Sequence, residues 1–122
     1  MNTLKLALIG LALGSAASMA GECTAPSSMP TLPDGATANM EQMLAGQKAV
    51  KEYQAANSEY RACLDPMLAA AQTAVAGDSP SEEAQATLKK LNDDYNASVS
   101  REEELADKWN SARKKYKELH PG

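Results

Sequence analysis

Along the second half of the chain, apolar residues recur in steps of three and four. Leu88, Leu91, Tyr95, Ser98, Glu102, Leu105, Trp109, Ala112, Tyr116 and Leu119 fall on one stripe of a helix, and only Ser98 and Glu102 in it are polar. Antiparallel helices bury such seams against one another. Val99 and Ala106 lie beside the stripe and fill in near the two polar positions. At the start, Ser79, Pro80, Ser81 and Glu82 read as a capping serine, a first-turn proline and an acid at the third helical position. With "HPG" at the end, the pattern predicts one helix over residues 80–119.

The first half is less regular. Met43, Val50, Tyr53, Asn57, Tyr60, Leu64, Met67 or Leu68, Ala71 and Val75 follow a 3.6-residue period loosely, with Thr37 as the expected cap and Gly77 as the expected stop. Gly77, Asp78, Ser79 and Pro80 then form a short connection, and the two helices make a hairpin. Pro66 removes a backbone donor and crowds the carbonyl of Ala62. The first helix is therefore expected to be bent there, or broken into pieces over residues 38–64 and 66–76. Asn57 is a polar residue on the seam, of the kind that fixes the register of two packed helices.

Ahead of the helices the pattern changes twice. Residues 1–20 combine Lys5, an apolar run from Leu6 to Leu13 and small residues ending at Ser18 and Ala20, which reads as a secretory signal peptide cleaved after Ala20. The run is shorter than the ~20 residues that span a bilayer, so no transmembrane segment is expected in the mature chain. Residues 21–36 contain Pro26, Pro30 and Pro33 and read as an extended strap. Residues 37–119 make the hairpin domain, and residues 120–122 a tail.

The strap carries Cys23, and the only other cysteine is Cys63. A lipid anchor needs the cysteine directly after the cleaved bond, but Glu22 intervenes after Gly21. Structural zinc wants four ligands, and the chain offers two cysteines and one histidine. Redox centres of the common type use C-x-x-C, which is missing. A Cys23–Cys63 disulfide suits an exported protein. Geometry agrees: polyproline II from Cys23 to Thr37 covers about 43 Å at ~3.1 Å per residue. Helix from Thr37 back to Cys63 covers about 39 Å at ~1.5 Å per residue. The strap thus turns at Pro33, Asp34 and Gly35 and runs back along the first helix. Pairing between chains is the alternative.

The leader, Cys23, the prolines, the Pro33, Asp34, Gly35 turn, the region of Met43, the Ala49, Val50, Lys51 and Tyr53 stretch, and Tyr60 with Cys63 resemble a group of small uncharacterised periplasmic proteins of Gram-negative bacteria. The resemblance covers about 40 residues, from Cys23 to Asp65. It implies export and a helical secreted form, and it supplies no activity.

Charge and chemistry narrow the functional classes. The formal net charge is −4, and loss of the leader removes only Lys5 from the charged residues, leaving the mature chain one unit more acidic. Nucleic acid, which demands a basic footprint, is not an expected partner. Arg113, Lys114, Lys115 and Lys117 cluster at the end of the second helix. They suit either an anionic surface or a solvated last turn that complements the helix dipole. His120, the only histidine, sits in the terminal tail. Asp93 with Asp94, and Glu102 to Glu104 with Asp107, lack the glycine-bearing alternation of a calcium loop and read as solvated faces.

The sequence therefore points to an all-α, disulfide-clasped helical hairpin, periplasmic or secreted, that works by contact and not by catalysis. No cofactor, metal or catalytic residue is expected. The expected partners are an unidentified protein or a second copy, met through a face bearing Tyr53, Asn57, Tyr60, Tyr95, Trp109 and Tyr116. The alternatives are an anionic surface met by the basic cluster, and a ligand-binding or enzyme subunit whose site forms on oligomerisation.

Overall fold

A computed structural model of the protein describes residues 23–121. The expected signal peptide lies outside the described residues. Two long helices account for most of the rest: α1, Met40–Val75, with 36 residues, and α2, Glu82–Leu119, with 38. They pack against each other as a hairpin, and no strand occurs among the described residues.

Each helix begins two residues later than the pattern predicts. Asn39, not Thr37, caps α1: its Oδ1 accepts from the Gln42 amide at 2.8 Å, while Gln42 Oε1 accepts from the Asn39 amide at 2.9 Å. This reciprocal box satisfies two orphan amides, which a lone threonine cannot do. Thr37 is used instead by the preceding turn, donating its amide to the Asp34 carbonyl at 3.1 Å. Ser81, not Ser79, caps α2 by accepting from the Ala84 amide at 3.1 Å. That choice puts Glu82 and Glu83 in the first turn, where the helix dipole favours acids, and leaves Pro80 outside the helix.

Pro66 does not divide α1, which is continuous across it. Ala62 and Pro66 are both exposed, so the lost hydrogen bond falls on the solvent side. Leu64 and Ala71, buried on either side of the proline, hold both parts of the helix against α2. At the far end the Ala76 amide closes α1 on the Thr73 carbonyl at 3.2 Å, and residues 76–81 make the connection.

The strap is tied as the lengths require. Cys23 and Cys63 form a disulfide with their Cα atoms 5.7 Å apart. Its turn is built by Asp34, whose Oδ1 accepts from the Ala36 amide at 2.9 Å and whose carbonyl accepts from the amides of Thr37 and Ala38.

Along this course the strap completes two separate cores. Near the connection, Tyr60, Leu64, Ala71 and Leu91 pack with Cys23 and Ala25. Near the free helix ends, Val50, Tyr53 and Leu105 pack with Met29 and Leu32. Two glycines let it lie close. A Cβ on Gly46 of α1 would stand 2.7 Å from Pro33 Cδ and 3.0 Å from Trp109 Cζ3. One on Gly35 would overlap the Ala112 carbonyl oxygen of α2.

Candidate interaction face

Between the two cores, the helices meet through polar side chains. Asn57 and Ser98 are both 0% exposed. Ser98 Oγ donates to Asn57 Oδ1 at 2.7 Å, and Asn57 Nδ2 donates to the Ser98 carbonyl at 2.8 Å. Beside them Arg61 donates to Glu102 at 2.6 Å and to Ser98 Oγ at 3.2 Å. Asn57 Nδ2 also reaches Glu102 at 3.3 Å. Satisfied in this way, a buried polar group costs little in place and much when shifted. A slip of one helix along the other would strand all of these groups, so the network locks the register.

Glu102 therefore belongs to the interhelical seam and not to a solvated acidic face. Its charge is matched by Arg61, with both side chains about one-fifth exposed. Asp93 and Asp94 do stand outward, paired with Lys89 and Lys90 at 2.6 Å each. The hydrogen bonds to Asp93 and Asp94, reinforced by their charges, raise the pKa values of these two lysines above the usual range.

The six residues expected on an interaction face separate into two groups. Tyr53, Asn57 and Tyr60 are buried between the helices and the strap, and of these Tyr60 alone borders an open cleft, of about 590 Å³, beside Cys23 and Met67. Tyr53 is buried with its hydroxyl lacking a protein hydrogen-bond partner. Tyr95, Trp109 and Tyr116 are half-buried. This division follows from the strap, which among the described residues crosses one flank of the helix pair and leaves the other bare.

On the bare flank, at the free ends of the helices, an open cleft of about 350 Å³ is lined by Met40, Met43 and Leu44 of α1 and by Trp109 and Tyr116 of α2. Met40 and Leu44 are 58% and 57% exposed. Arg113, Lys117 and His120 line the same cleft. His120 stacks on Tyr116 with ring centroids 4.1 Å apart, and its Nδ1 donates to the Tyr116 carbonyl at 2.9 Å, so this tail residue closes the helix.

Three residues of the basic cluster share a surface: Arg113, Lys114 and Lys117 line one hollow with Asn110 and Glu118, while Lys115 lies on the strap side near Gly35. At about 100° per residue, positions 113, 114 and 117 fall within one arc of the helix and position 115 outside it.

Met40, Leu44 and Arg61 are the residues that sequence reasoning missed. Met40 and Leu44, four apart, made an apolar pair beside the main stripe, and Arg61 stands one turn beyond Asn57. Among the described residues, no group of three or more His, Cys, Asp or Glu is placed to hold a metal ion. No described helix is long and apolar enough to cross a membrane. No protein-family model matches the chain, and comparison with curated proteins and with solved structures finds no significant match.

Proposed function

We propose that the protein is an exported, non-catalytic helical module that acts by protein–protein contact in the cell envelope, as a partner-binding or chaperone-like adaptor. The observation that carries this reading is the bare flank. Met40 and Leu44 stand open beside Trp109 and Tyr116 on a hairpin whose other flank is crossed by its own strap. Methionine-bearing apolar clefts between helices accept amphipathic segments with little strain. Export is supported by the leader-like residues 1–20, and an oxidising compartment by the Cys23–Cys63 bond.

The test is site-specific photo-crosslinking of the exported protein. A probe at Leu44 should yield a discrete adduct, and one at outward-facing Glu103 none. Equal labelling from both sites, or none from either, contradicts the reading. Intact mass of the same sample should begin at Gly21.

A second reading, binding to an anionic surface, draws on Arg113 and Lys117 in the same cleft. It requires salt-sensitive binding to anionic vesicles that neutral replacement of both residues abolishes.

A further inference from the structure

We propose that the first occupant of the bare flank is a second copy of this chain, packed antiparallel about a two-fold axis, so that two hairpins form a four-helix unit with both straps outside. This rests on the contact reading above and names the partner.

The hairpin covers the apolar seam of α2 only in part. Beyond the buried column of Leu91, Ser98, Leu105 and Ala112, a second column runs through Leu88, Tyr95, Trp109 and Tyr116, and Val99 and Ala106 extend it. All six of these added residues are only half-buried. In helical bundles the half-covered edge of such a seam is closed by further helices. The area also suffices. At ~1.5 Å per residue the helices run about 54 to 57 Å, and a flank two helices wide offers roughly 1,000 Å² against the ~800 Å² per partner of a stable interface.

Charge sets the direction. Cut at its middle, the hairpin has seven acidic and three basic residues in the half nearer the connection. The half nearer the free ends has seven acidic and eight basic. Parallel packing would set like ends together. Antiparallel packing sets each basic end against the partner's acidic one, with the acidic first turn of α2 opposite the basic last turn of the other copy.

On α1, Lys51 and Asp65 are exposed and nearly equidistant from the helix midpoint between Asn57 and Ser58. Lys51 lies beside Leu44 and Gln47, and Asp65 one turn beyond Arg61. The two-fold axis brings each Lys51 to the partner's Asp65. On α2 the axis passes near Val99, within two residues of that helix's midpoint.

The experiment combines sedimentation equilibrium of the full exported chain with cross-linking. The wild type should dimerise, and K51E and D65K should each weaken the dimer by about tenfold, because symmetry repeats each clash. The K51E/D65K double variant should recover to within about threefold of wild type. V99C should cross-link to itself across the axis, and L88C should not. Circular dichroism of each variant confirms that the helices persist.

A dimer without charge rescue and without a V99C cross-link overturns the antiparallel arrangement. A monomer that still gives a discrete Leu44 adduct with another polypeptide overturns the second copy and leaves the contact reading standing. A monomer with no adduct overturns both.

Discussion

On one flank of the helix pair Met29, Leu32 and Pro33 of the strap fill the groove; on the other, Met40 and Leu44 stand open beside Trp109. Both flanks are edges of the same seam, and both are apolar. The difference lies in small residues and a covalent tie. Gly35 and Gly46 remove side-chain bulk where the strap crosses, and the disulfide fixes its end on α1. A pair of helices with so narrow a seam has little interior of its own, so covering one flank with a third segment supplies much of the missing core. Among the described residues, no such segment crosses the other flank.

The largest effect on this contrast should come from C23S or C63S. Opening a loop of 40 residues removes about 4 kcal/mol in the chain-entropy model, read as a loss of urea-unfolding free energy with far-ultraviolet helicity retained at low urea. A stability within error of wild type would mean that the tie contributes nothing to the strap flank.

G46A is sharper because its sign discriminates. On a helix free of the strap, alanine would stabilise by about 1 kcal/mol. With Pro33 and Trp109 where they are, the added methyl overpacks and should destabilise by roughly 1 to 3 kcal/mol. G77A, whose Cβ would meet nothing within 4 Å, is the control.

N57A removes the centre of the polar network that both flanks share. It leaves the Ser98 hydroxyl without its acceptor and should cost about 1 to 3 kcal/mol, measured as a lower urea midpoint. An N57L/S98A pair should recover most of that loss while loosening register, visible as broadened amide resonances near Arg61 and Glu102. Y53F runs the other way: deleting an unpaired buried hydroxyl should stabilise by about 1 kcal/mol.

K89A should produce no measurable change. The hydrogen bond to Asp93, and then its charge, raise the Lys89 pKa, so any contribution is fully present below the unfolded value. It is lost only as pH rises through the folded value, in strongly alkaline solution, and solvent screens it.

Much of this architecture was legible in sequence because it is periodic or metric. The stripe from Leu88 to Leu119 is a local repeat, and the clasp followed from comparing an extended length with a helical one. The polar network was half legible. Asn57 stood out on its seam, and Ser98 and Glu102 registered as interruptions, but nothing local joined them, since the bonds span 37 to 45 positions. Arg61 was invisible for the same reason, and Glu102 was mistaken for surface because acids occur beside it. Both helix starts were missed by two residues where competing caps stood close together. Which tyrosines face outward depended on where the strap lies, and Gly46, a lone glycine inside a helix, was the unused clue.

The most direct measurement is methionine oxidation by dilute peroxide on the monomeric, disulfide-intact protein, followed residue by residue with mass spectrometry. Met29 and Met40 are contained in the same molecule, one on the strap and packed against the core, the other on the bare flank. Met40 should oxidise many times faster than Met29, and reduction of Cys23–Cys63 should speed Met29 and leave Met40 unchanged. Equal rates for the two in the intact protein would contradict a strap seated on one flank.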